Sequence, residues 1–152
     1  MRRYPITVMA SLICLATQAT CLAGAQQPPR TLELSAGVYR ISAEYAETAE
    51  ARDRGLMDRY SLPANHGMLF IFPEAHRHCM WMRNTRIPLS VAFLDDEGRI
   101  VNIAEMQPET DDYHCADQPV HYALEMNKGW FEKRRIRSGA RISGIGQAPA
   151  GR

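Results

Sequence analysis

The chain has 152 residues, a formal net charge of +1 and 45% hydrophobic residues, a length that suits one ordinary domain and leaves no room for a second. If Arg2 and Arg3 leave with a cleaved leader, the charge falls to −1. The product then lacks the basic excess that phosphate backbones and anionic membrane surfaces attract, so neither nucleic acid nor a membrane surface is an expected partner.

Residues 1–25 read as an export signal. Arg2 and Arg3 give the positive start, Ile6 to Leu22 is mostly apolar, and Ala23, Gly24 and Ala25 form an A-x-A cleavage site before Gln26. The apolar run is too short and too interrupted for a membrane span, which needs about 20 apolar residues. Cleavage near Ala25 predicts a periplasmic or secreted protein of 127 residues with no span left, long enough to bury most of its chain surface. Residues 26–31 read as a flexible leader, 32–146 as a single β-rich domain and 147–152 as a frayed tail.

Leu32 and Leu34 suit a short strand. Tyr39, Ile41, Ala43 and Tyr45 alternate with Arg40, Ser42 and Glu44, the period-two pattern of a half-buried strand. Thr48 is an N-cap for a helix over Ala49 to Arg59, with Glu47 and Glu50 at its positive end and Arg52 and Arg54 further along. After the Pro63-containing loop, Met68 to Phe72 is an unbroken apolar run, which predicts a strand covered on both faces. Cys79 to Met82 and Val91 to Leu94 predict two more buried strands. Asp95 to Gly98 makes a tight turn with Gly98 in the left-handed position, and Arg99 to Met106 returns as the partner strand. Gln107 to Pro119 reads as a long loop, and Tyr122, Leu124 and Met126 alternate with His121, Ala123 and Glu125 in a further strand. Asn127 is placed to cap a short helix bearing Trp130 and Phe131, and a last strand is expected around Ala140 to Ile145.

Cys14 and Cys21 fall within the signal, which leaves Cys79 and Cys115 in an oxidising compartment, where a disulfide between them is expected. It would tether the loop after Gln107 to the apolar centre of the chain.

Four blocks in order, RGLMDRYSLP (Arg54 to Pro63), GMLFIF (Gly67 to Phe72), WMRNTRIPL (Trp81 to Leu89) and YALEMNKGW (Tyr122 to Trp130), resemble the domain of unknown function 192 family across nearly all of residues 32–145. The resemblance implies a single compact α+β domain, mostly β, barrel-like and often exported; with the elements read above, the expectation is an antiparallel or mixed sheet with two short helices. The resemblance carries no established activity, cofactor or catalytic residue. One departure stands out: the family often has an acid just after the IPL triplet, where this chain has Ser90.

Arg54, Arg59, Arg83, Asn84, Thr85, Glu125 and Lys128 flank the apolar blocks, and residues ringing one end of a small barrel converge on a mouth suited to a ligand. The structural alternative makes Asn84 and Thr85 turn residues and pairs Arg83 with Glu125 or Asp95. A second reading is a soft-metal site for copper built from His76, His78, Met80, Met82 and His114. A disulfide consumes the thiolates, however, and an M-x-M pair on one strand face is core more often than ligand. A third reading pairs Asp95, Asp96, Glu105 or Glu125 as acid and base of a hydrolase, though nothing in the spacing fixes their separation. Trp81, Trp130, Phe131 and Tyr122 could stack on a sugar ring, but rings beside apolar runs are usually core. The sequence holds no arrangement of nucleophile, base and orienting group. The expectation is a non-catalytic envelope domain without a cofactor, binding a small molecule, glycan or protein partner.

Overall fold

The computed structural model of the protein describes residues 30–152. The signal expected over residues 1–25, with Cys14 and Cys21, lies outside the described residues. β1 (Thr31–Ala36) and β2 (Tyr39–Ala46) form an antiparallel hairpin that begins one residue before the expected domain boundary. Along β2, Ile41 and Ala43 are fully buried and their neighbours are not, as a two-residue period requires.

α1 (Ala49–Arg54) starts on Thr48, whose Oγ1 accepts the Ala51 N–H at 3.2 Å. It ends five residues short of the expected Arg59, because the Gly55 N–H closes the last turn on the Ala51 carbonyl at 2.9 Å and the chain then bends away. This short excursion allows β3 (His66–His76) to return parallel to β2, since a parallel pair needs a crossover rather than a tight turn.

β8 (Val120–Asn127) pairs antiparallel with β3 on one side and with β5 (Leu89–Leu94) on the other. β6 (Ile100–Met106) pairs with β5, and β9 (Ile142–Ser143) pairs with β1. The seven strands therefore run β6-β5-β8-β3-β2-β1-β9. The sheet curls into a half-barrel until its two edges meet: Arg99 and Arg141 form an antiparallel bridge, and the Ile142 N–H donates to the Gly98 carbonyl at 2.8 Å. At this seam Gly98 has φ 77°, and a Cβ there would lie 2.3 Å from the Ile142 oxygen. Only glycine fits both the turn and the closure.

Both faces of the sheet are covered, as the apolar run in β3 implied. Leu69 and Ile71 join Leu34, Ile41, Leu124, Met126 and Trp130 in one core, while Met68 and Phe70 join Leu56, Met82, Leu89, Val91 and Phe93 in the other. α2 (Trp130–Lys133) packs Trp130 and Phe131 into the first core. Asn127 does not cap it. The residue before α2 is Gly129, and the Asn127 amide instead donates to the Leu62 and Pro63 carbonyls at 2.9 and 3.1 Å.

The expected strand Cys79 to Met82 is strand only in β4 (Cys79–Met80), which pairs with β7 (His114–Cys115) in a separate two-stranded sheet. Met82 leaves it to give its N–H to the Thr110 carbonyl. Cys79 and Cys115, directly opposite in this pair, are joined as a disulfide. The expected strand near Ala140 to Ile145 is reduced to β9, and Ile145–Gln147 form a 3-10 turn. Arg152, in the tail expected to fray, gives its N–H to the Glu47 carbonyl at 2.6 Å.

Candidate functional site

Among the described residues one ionisable side chain, Glu125, is buried. Along β8, Ala123 and Glu125 face the second core while Leu124 and Met126 face the other, and Glu125 stands between Met68 of β3 and Val91 of β5 in register. It is 3% exposed. Burial alone pushes its carboxyl up to about 8, and among the described residues no group hydrogen-bonds to it. Carboxyl groups this deep are normally paired.

Glu125 opens on a cleft of about 310 Å³. Phe70 joins it from the sheet, α1 and its following turn supply Arg52, Asp53, Arg54, Leu56 and Met57, and the opposite wall is Cys79 to Trp81 with Thr85 and Tyr113. The two walls are fixed by different means. On one side the Arg52 guanidinium donates to the carbonyls of Glu47, Ile71 and Arg152 at 2.7, 2.9 and 3.0 Å, tying α1 to β3 and the tail. On the other the disulfide clamps β4 to β7, the Arg83 guanidinium lies 4.3 Å from the Trp81 ring centroid, and Tyr113 stacks with Trp81 at 6.0 Å.

Of the seven residues nominated from the sequence, the cleft brings together Arg54, Thr85 and Glu125. The other four lie elsewhere. Arg59 is held by a bidentate pair with Glu44, 2.6 Å on each arm, and that hydrogen bond raises its pKa. Arg83 is exposed and pairs with Asp111 at 2.8 Å, rather than with Glu125 or Asp95. Asn84 is a turn residue with φ 56° whose carbonyl accepts from the Asp58 N–H. Lys128 gives its backbone N–H to Pro88 and does not line the cleft. Thr85 is also bound locally, its hydroxyl reaching the Arg83 carbonyl at 3.4 Å.

Arg52, Asp53, Met57, Phe70, Phe72 and Tyr113 also line the cleft and were absent from the nominated set. The signal for the first three was present: α1 ends in the block that carries Arg54, so its neighbours must share the same rim.

Of the metal-like residues, Met80 stands opposite His114 in the β4–β7 pair, and the His76 and His78 rings lie 5.7 Å apart. Both thiols are in the disulfide, Met80 and Met82 are buried in the second core, and His78 stacks on Phe72 at 3.6 Å, where burial lowers its pKa. Among the described residues no three His, Cys, Asp or Glu side chains stand close enough to hold an ion. The four acids of the hydrolytic reading are separate. Asp95 accepts the N–H groups of Glu97 and Arg99 in the turn, Asp96 pairs with His121 at 2.6 Å, and Glu105 lies on the opposite face of the sheet from Glu125. Trp130 and Phe131 are core, leaving Trp81 as the nominated ring that reaches the cleft.

A second cleft of about 280 Å³ lies beside α2, lined by Glu105, Phe131, Arg135, Arg137 and others. The Ser90 hydroxyl donates to Glu105 Oε1 at 2.7 Å, and the Gly129 N–H reaches Ser90 Oγ at 2.8 Å and Glu105 Oε2 at 3.2 Å. A carboxylate therefore stands beside position 90 after all, supplied from the neighbouring strand. Among the described residues no helix is long and apolar enough to cross a membrane.

The model of the family described as Uncharacterized ACR (DUF192) matches residues 31–144. No curated protein matches the chain. Solved crystal structures that share the fold include those of a Sinorhizobium meliloti 1021 protein provisionally described as a transcription regulator and a Novosphingobium aromaticivorans DSM 12444 protein of unknown function. The first is 29% identical with a TM-score of 0.74, covering 80% of this chain and 98% of its own. The second is 29% identical with a TM-score of 0.68, covering 74% and 83%.

Proposed function

This chain belongs to the DUF192 family, and we propose that it is an exported, non-catalytic domain that binds a compact small molecule in the cleft above Glu125. The observation that carries this reading is a carboxyl group 3% exposed, aimed into a cleft and lacking any partner among the described residues. An unpaired buried acid is costly to the fold, and a cleft with a few convergent polar groups among apolar walls is the usual form of a ligand site. Export is supported by the A-x-A leader and by the Cys79–Cys115 bridge, which is characteristic of oxidising compartments. A small molecule is favoured over a glycan or a protein partner by the size of the cleft, about 310 Å³. The copper and hydrolase readings draw less support, since both thiols are in the disulfide, Met80 and Met82 are packed in the second core, and the acids are committed separately.

The test is native mass spectrometry of protein purified from the periplasm of its own host, comparing wild type with Glu125→Leu. A ligand mass that travels with the wild type and is lost from a folded Glu125→Leu variant is expected. If the variant retains the same mass, or neither protein carries one while Glu125→Leu unfolds at lower denaturant, Glu125 is structural support and the reading is wrong.

A further inference from the structure

Resting on the binding reading above, we infer that the ligand is amphoteric and enters amine first, with a primary ammonium on the Glu125 carboxylate, an apolar body along Phe70 and Trp81, and an anionic group held at the mouth by Arg54. Each part of this assignment comes from what the cleft leaves unmatched.

At the floor, the acid has three chemical options. An anionic group would meet its ionised form unfavourably, and a neutral group could exchange a hydrogen bond with the protonated carboxyl but supplies no counter-charge to the ionised one. An ammonium group supplies the counter-charge and up to three donors, and the charge-assisted bond is strong where water is excluded. Bringing the carboxyl from its neutral to its ionised form is a modest step at neutral pH, because burial alone sets its titration near 8. Phe70 and Trp81 offer apolar and π surface to the carbon skeleton behind the ammonium.

At the mouth, the charges differ in how they are committed. The guanidinium of Arg52 is taken by three carbonyls, and nearby Arg83 is taken by Asp111. Arg54 lines the cleft, and its guanidinium makes no hydrogen bond or ion pair among the described residues; a guanidinium in that state is a fork for carboxylate or phosphate. Asp53 and Tyr113 are the remaining titratable groups on the lining. The volume of about 310 Å³ suits a body of roughly one ring with short arms.

The test uses the oxidised protein and four probes read by amide chemical-shift mapping: 4-(aminomethyl)benzoate, benzylammonium, 4-methylbenzoate and 4-methylbenzamide. The zwitterion is expected to shift Phe70, Trp81, Thr85 and Glu125 and to bind at least tenfold tighter than 4-methylbenzoate. Glu125→Gln should weaken both amines tenfold or more. Arg54→Gln should weaken the zwitterion threefold or more and leave benzylammonium unchanged. If 4-methylbenzamide binds the cleft as well as the amines do, the ligand class is wrong while the cleft remains a binding site. If no probe shifts the cleft residues, the ligand class is also overturned, and the binding reading then rests on the co-purified mass alone. The four-probe comparison on the unsubstituted protein decides the class even if a variant fails to fold.

Discussion

Glu125→Gln isolates the consequence of burying a lone acid. The carboxyl titrates near its ordinary value of 4.5 in the unfolded chain and at about 8 in the folded protein. Between these values the folded form carries a proton that the unfolded form has released. The unfolded state therefore binds fewer protons, and stability falls as pH rises, by up to about 1.4 kcal/mol per pH unit. Below pH 4.5 the group makes no difference, and above pH 8 the loss reaches a ceiling of about 5 kcal/mol, a large part of the 5–15 kcal/mol typical of a domain. Glutamine has nearly the shape of the protonated acid and does not titrate. Urea denaturation of wild type and Glu125→Gln at half-unit steps from pH 5 to 8.5 should give curves that start close together and diverge, with the variant the more stable at the alkaline end. Asp53, Tyr113, His78 and every other titratable group are common to both proteins and cancel in the difference. A difference that is constant with pH, or a wild type that gains on the variant as pH rises, refutes the claim that Glu125 is buried without a partner.

Two further outcomes test the framework that holds the cleft. The Cys79–Cys115 bridge joins residues 36 apart, and by the loop-entropy relation its removal in the double Cys→Ser variant should cost about 4 kcal/mol. Calorimetry should then record a fall in Tm of more than 10 °C, and a fall of under 3 °C would mean that the β4–β7 pair does not constrain the chain. Gly98 and Gly139 both have positive φ, but only at Gly98 would a Cβ strike backbone, and at Gly139 nothing lies within 4 Å. Gly98→Ala should therefore cost about 2 kcal/mol or more and Gly139→Ala about 1 kcal/mol, measured as the shift in urea midpoint; equal costs would deny the closure of the sheet at Ile142.

Strands were legible where composition left one solution. Met68 to Phe72 has no polar residue to turn outward, so it had to be covered on both faces, and it is. The disulfide was legible because two cysteines remain once the leader is set aside. Element ends were less so: whether the chain continued past Arg54 or bent at Gly55 depended on the contacts awaiting Leu56, which local pattern does not encode. The same limit applied to the site. Arg83 and Glu125 are the two most conspicuous charges beside apolar blocks, and they suggest a pair. They sit at different depths, because Arg83 falls in a turn outside β4 while Glu125 falls on the inward phase of a central strand. The alternation of β8 did contain the clue. With both phases of that strand buried, a glutamate in either phase has to lie inside.

Glu105 and Glu125 mark the difference between a carboxylate that supports and one that is available. They belong to one sheet, β6 and β8 on either side of β5, and face opposite ways. Glu105 stands opposite Ser90 and spends its oxygens on the Ser90 hydroxyl and the Gly129 N–H, fixing the turn that leads into α2. Removing it would leave donors unmatched in a framework element. A serine at position 90 is compatible with the fold because the pleat places the neighbouring strand's acid beside it, so the missing charge is replaced across the ladder rather than along the chain. Glu125 has no such neighbour on its own face: Met68 and Val91 flank it and offer nothing to bond. A side chain so placed weakens the folded state and gains a partner only from something that enters the cleft, which is the physical ground for proposing the site at Glu125 and the support at Glu105.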